Sequence, residues 1–94
     1  MLNTKSIQDN LNRAESFRKQ GREIECERLL VTVLREAPEG SQEHWLGLVL
    51  MGELYESQNR IAEARIVCRS LPKILESQSV VGQRGQRLWK RIKE

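Results

Sequence analysis

The side chains that could do chemistry are few, and they do not converge. His44 is the one histidine and stands beside Trp45; a lone imidazole with no nucleophile or second base at a set spacing reads as a solvated or capping residue. Cys26 and Cys68 are 42 positions apart, without the paired spacing a zinc site requires. Each lies in apolar company, as free thiols packed like small hydrophobes do. Gly82 and Gly85 fall in a basic stretch without the preceding strand that a phosphate-cradling loop needs. Glu23, Glu25 and Glu27, with bases around them, read as an exposed helix face. These residues predict no catalysis, no cofactor and no metal.

Binding is the remaining chemistry, and one candidate is the tail. From Ser79 onward, five bases (Arg84, Arg87, Lys90, Arg91 and Lys93) face the single acid Glu94, a net +4 in a chain whose total is +3. A helix gathers most of them on one broad side. Such a side can hold nucleic-acid phosphates without sequence preference, with affinity that falls as salt rises. The chain has no recognition motif, and aromatics make up only 4% of it, too few for base stacking. The same charges also suit a solvated face that keeps a terminal helix in water.

The elements that would position any of these residues follow a pattern that occurs twice. Ala14, Phe17, Gly21, Cys26, Leu30, Val33 and Pro38 are each followed 38 residues later by Gly52, Tyr55, Asn59, Ala64, Cys68, Leu71 and Glu76. Six of the seven pairs match in character, Pro38 against Glu76 being the exception. A fixed period of a few tens of residues marks a helical repeat array.

Periodicity predicts five helices in an all-α chain, arranged as an α-solenoid fragment of two helical hairpins and a C-terminal helix. The hairpins span about 4–38 and 41–76, the last helix about 79–93, and the 94 residues are read as one small domain. The first helix, about Thr4 to Gln20, carries Leu2, Ile7, Leu11, Ala14 and Phe17 along one stripe, and Gly21 ends it. The second, about Arg22 to Glu36, points Ile24, Leu30, Val33, Leu34 and Ala37 inward before Pro38 and Gly40 break the chain.

Ser41 is the expected N-cap of the third helix, about Gln42 to Ser57. This helix has Trp45, Leu46, Leu48, Val49, Leu50, Met51, Leu54 and Tyr55 around most of its circumference, so it should be buried on all sides. A fourth helix is expected from Asn59, with Ile61, Ala64, Ile66, Val67, Cys68 and Leu71 inward, interrupted by Pro72. The last runs from about Val80 to Lys93, with Val81, Leu88, Trp89 and Ile92 as its apolar positions.

The pattern resembles the tetratricopeptide repeat, whose order of small residue, aromatic, glycine-like turn, small residue, two apolar residues and proline is matched at all seven places from Ala14 to Pro38. Gly52 to Glu76 matches six. The resemblance covers about Ile7 to Ser77. It departs from the family in its period, 38 residues here against about 34 in the family, and in lacking the early tryptophan, although Trp45 lies nearby. The resemblance implies a protein–protein interaction module, adaptor or chaperone-like, whose groove would be lined by Leu11, Glu15, Arg18, Leu46, Val49, Leu50, Glu53 and Glu56. Leu11, Glu15 and Leu50 stand where some members carry a carboxylate clamp, so that clamp is not expected. An apolar floor with a charged rim suits an amphipathic helix of a partner or a second copy of this chain; alternatively Leu46, Val49 and Leu50 pack against the chain's own fifth helix. The fifth helix is expected to cap the second repeat through Trp89.

No stretch is long enough to span a membrane, the longest apolar run being Trp45 to Tyr55, and Met1 to Lys19 has no signal-like apolar core. The reading is a cytoplasmic protein with no membrane partner, in keeping with free thiols.

Overall fold

A computed structural model describes residues 4–71 and 79–93, and every described element is a helix. They are α1 (Thr4–Lys19), α2 (Glu23–Glu36), α3 (Gln42–Ser57), α4 (Ile61–Arg69) and α5 (Val80–Ile92). Leu2, Pro72, Glu76 and Ser77, which the sequence reading assigned to the first stripe and to the end of the second hairpin, lie outside the described residues. The architecture is the all-α arrangement expected: α1 pairs with α2, α3 with α4, and α3 touches all four other helices.

The 38-residue offset is a structural equivalence. Ala14 and Gly52 are both buried, as are Cys26 and Ala64, Leu30 and Cys68, and Val33 and Leu71; Phe17 and Tyr55 are both half-buried, and Gly21 and Asn59 both exposed. The two hairpin turns agree in detail. Gly21 has φ 77° and Asn59 φ 60°, the left-handed geometry that glycine and asparagine tolerate best. The next amide closes each turn at 2.8 Å, Arg22 N–H donating to the Phe17 carbonyl and Arg60 N–H to that of Tyr55. The guanidinium of Arg22 lies 4.7 Å from the Phe17 ring centre, and that of Arg60 4.5 Å from the Tyr55 ring. Each Nε then donates at 2.6 Å to a glutamate three residues on, Glu25 and Glu63.

The same offset reaches a third helix. Ser41 Oγ accepts from His44 N–H at 3.2 Å, and Ser79 Oγ from Gly82 N–H at 3.1 Å. Both serines satisfy amides that a helix start leaves open. Helices α3 and α5 thus begin at 42 and 80, in register.

The core follows from the inner stripes. Ile7, Leu11, Ala14, Cys26, Leu30, Val33, Ala37, Leu50, Met51 and Leu54 join α1, α2 and α3. Ala64, Cys68, Leu88 and Ile92 join α4 to α5, with Tyr55 and Trp89 packed against them, the contact expected of Trp89 in a cap. From Val49 to Leu54 every residue of α3 is buried, which takes in all sides of a helix and fits its apolar circumference. Its flanks differ from expectation: Trp45, Leu46, Leu48 and Tyr55 are only half-buried, because neighbouring helices cross its middle.

Three further expectations need correction. Asn59 forms the turn, and α4 begins at Ile61, since a left-handed residue cannot continue a right-handed helix. Ile24 and Ile66 face outward, 66% and 61% exposed. The inner stripes pass through Cys26 on α2 and through Ala64 and Cys68 on α4. A residue two positions from such a stripe projects roughly opposite to it at 3.6 residues per turn.

Candidate interaction surface on the inner face

Close approach of helices prepares this surface. A Cβ on Gly52 would come within 2.7 Å of Leu88 Cδ2, and one on Gly47 within 3.1 Å of Leu34 Cδ2. The absent side chains let α5 lie on α3, and α3 on α2. Gly82 and Gly85 are buried in the inward face of α5.

The eight residues assigned to a groove do share one side, but the groove is not open. Leu11, Val49 and Leu50 are at most 2% exposed and belong to the core. Glu53 is buried, while Glu15, Arg18, Leu46 and Glu56 are half-buried. Over this side lies α5, and its arginines engage the groove acids. Arg84 donates from Nε to Glu53 Oε2 at 2.8 Å and from Nη2 to Glu53 Oε1 at 2.7 Å. Its Nη2 also reaches Glu15 Oε1 at 2.6 Å. Two turns along α5, Arg91 makes a two-pronged pair with Glu56, both contacts 2.8 Å. Arg18 Nη2 stands 3.9 Å from Glu53 Oε1, and its buried Nε finds no partner among the described residues.

Electrostatics favours the charged forms. Burial alone would raise Glu15, but the hydrogen bond and charge of Arg84 hold it below the usual carboxylate range. The Arg91 hydrogen bond does the same for Glu56. Arg84 is pushed up, chiefly by its bond to Glu53. Glu15 and Glu53 are themselves 38 residues apart, so one arginine gathers equivalent acids from both hairpins.

This arrangement divides the five tail bases. Arg84, half-buried, and Arg91, still exposed, pair with carboxylates, and Arg87, Lys90 and Lys93 are exposed as well. Of the basic side expected of the last helix, two arginines are thus neutralised by acids of α1 and α3. Lys90 is the α5 equivalent of Ala14 and Gly52, and Arg87 that of Leu11 and Val49. Where the two hairpins carry small or apolar buried residues, α5 carries exposed charge.

Elsewhere the chemistry is sparse. His44 meets Trp45 edge-on, ring centres 5.7 Å apart. Burial pushes the Cys68 thiol up to about 11 and raises Cys26 as well, which disfavours the reactive thiolate. Among the described residues no group of three or more His, Cys, Asp or Glu side chains could hold a metal ion. None of the described helices is long and apolar enough to cross a membrane. In the sequence the groove acids and the tail bases stand apart. Their opposite charges were the available signal that they meet.

No protein-family model, curated protein or solved structure matches this chain.

Proposed function

We propose that this chain is a non-catalytic protein–protein interaction module of the tetratricopeptide kind, adaptor or chaperone-like, in which α5 occupies the place of a partner helix. One observation carries the reading: the acids Glu15, Glu53 and Glu56 on the inner face are answered by Arg84 and Arg91 of a helix that also buries Leu88 and Ile92. The helix already in the groove exhibits the chemistry the groove accepts. A partner, or the α5 of a second copy, would present an amphipathic helix with two arginines seven positions apart and aliphatic residues between and beside them. A cytoplasmic setting is part of the proposal, supported by two buried free thiols.

The test is exchange. A fluorescent peptide of residues 79–94 is titrated with the unaltered chain and with a chain carrying Arg84→Ala and Arg91→Ala, and anisotropy is recorded. Loosening the resident helix should raise peptide binding by about tenfold or more. If the peptide binds neither chain while circular dichroism stays helical, the groove takes no helix but its own and the reading fails.

A further inference from the structure

We propose that the outer face formed by α2 and α4 is a docking surface for an anionic lipid bilayer, a role separate from the inner groove. Helix α2 exposes Ile24, Arg28, Val31 and Arg35 at spacings of four, three and four, which is one stripe along a helix. Helix α4 exposes Ile66 and Arg69. By the 38-residue offset Arg28 is equivalent to Ile66 and Val31 to Arg69, so the two stripes face the same way. Each places an aliphatic side chain one turn from a guanidinium. Four large hydrophobics stand out as exposed among the described residues, and three of them, Ile24, Val31 and Ile66, lie here; the fourth is Val80.

The charge on this face is mostly basic among the described residues. None of the six residues is acidic. Glu25 and Glu63 are bound by Arg22 and Arg60; Glu27, beside the α2 stripe, looks toward Arg60 at 3.9 Å, and the exposed Glu36 follows Arg35 at the end of α2. Arg28 adds a longer-range attraction to Glu25, but no carboxylate of the described residues pairs with Arg28, Arg35 or Arg69. A second copy cannot cover the face, because apposing it to itself sets arginine against arginine. Nucleic acid would satisfy the arginines and leave three aliphatic side chains against hydrated phosphates. A bilayer offers phosphates at the level of the guanidiniums and apolar chains just beneath, where isoleucine and valine can enter. The contact is peripheral. The expectation of no membrane partner rested on span length alone, which does not bear on a surface contact.

Co-sedimentation of the full chain with vesicles tests this, using neutral phosphatidylcholine in one set and added phosphatidylglycerol in the other. Binding is expected only to the anionic set, weakening with salt. Arg28→Glu with Arg69→Glu, and separately Ile24→Ser with Ile66→Ser, should each lower the partition coefficient by about tenfold or more. All four residues are exposed, so helicity should persist. Arg87→Glu with Lys90→Glu, on α5, should leave partitioning within about twofold. Failure to bind anionic vesicles at low salt overturns the proposal. So does equal loss on altering α5, or indifference to the serine substitutions, which would reduce the contact to general attraction of a basic protein. Tighter binding to a short DNA duplex, insensitive to the serine substitutions, would reassign the face to nucleic acid.

Discussion

Arg84 grips both carboxylate oxygens of Glu53, at 2.8 and 2.7 Å, across 31 residues of chain. Glu53 is 9% exposed, so this pair sits where the last helix meets the centre of the molecule. The fork of a guanidinium matches a carboxylate with two parallel bonds, which fixes the angle of α5 as well as its attachment.

Removing one half of this pair should cost more than removing both. Arg84→Met leaves a buried carboxylate with only the distant Arg18 for company and should destabilise the fold by about 2–3 kcal/mol. Combining it with Glu53→Leu should recover much of that loss, because no uncompensated charge stays inside. Urea titration of the four members of the cycle measures this. Purely additive losses would show that the two residues act independently.

The two hairpin turns should tolerate change at their left-handed residue to different degrees. Gly21→Ala puts a side chain at φ 77° and should cost about 1 kcal/mol. Asn59 already tolerates φ 60°, so Asn59→Gly should change stability by only a few tenths of a kcal/mol, about 0.5 at most. Thermal melts of both variants check it; a large loss at Asn59→Gly would mean that its side chain has a role the backbone does not explain.

Gly52→Ala and Gly47→Ala separate helix propensity from packing. Each gains about 1 kcal/mol of propensity within α3. At Gly52 the new methyl would lie 2.7 Å from the Leu88 side chain, which is fully buried and has nowhere to go. The net result there should be a loss of about 1–2 kcal/mol. At Gly47 the contacts of 3.1 and 3.3 Å to Leu34 and Val33 can relax, because Leu34 is only half-buried. A change within about 0.5 kcal/mol is expected. Equal melting temperatures for the two variants would contradict the close seating of α5.

Acid should loosen the last helix before it dissolves the first hairpin. Glu15 and Glu56 have folded-state pKa values below their ordinary value of 4.5. Their pairing therefore contributes fully above that value and is lost as pH falls through the lowered pKa values. Hydrogen exchange followed below pH 4.5 should show α5 amides losing protection ahead of those in α1 and α2. Simultaneous loss throughout would place the acid sensitivity elsewhere.

Both thiols should be inert in the folded chain. Cys26 and Cys68 are each 1% exposed and held in the protonated form by burial. A disulfide-exchange reagent should modify neither until denaturant is added, after which both react. Rapid labelling of one thiol in native buffer would expose an opening that this packing does not contain.

Local features were legible in the sequence because they depend on neighbours along the chain. The turns at Gly21 and Asn59, the cap at Ser41 and the buried alternation from Ala14 to Val33 each involve contacts a few residues apart, and a 38-residue offset repeats them. Spacing misled at the start of α4, set two residues early, and where it had to choose a face. Ile24 and Ile66 count as apolar in any window, yet one step of 100° per residue sends them outward.

The letters alone thus determined five helices, a doubled hairpin and an inner side lined by Glu15, Glu53 and Glu56. Whether that side stood open or filled depended on Arg84 and Arg91, the first of which reaches Glu15 across 69 residues. Contacts over such separations are chosen by the packing of whole helices, after propensity and capping have set each one. Only the tertiary structure could decide that the chain's own tail answers its groove.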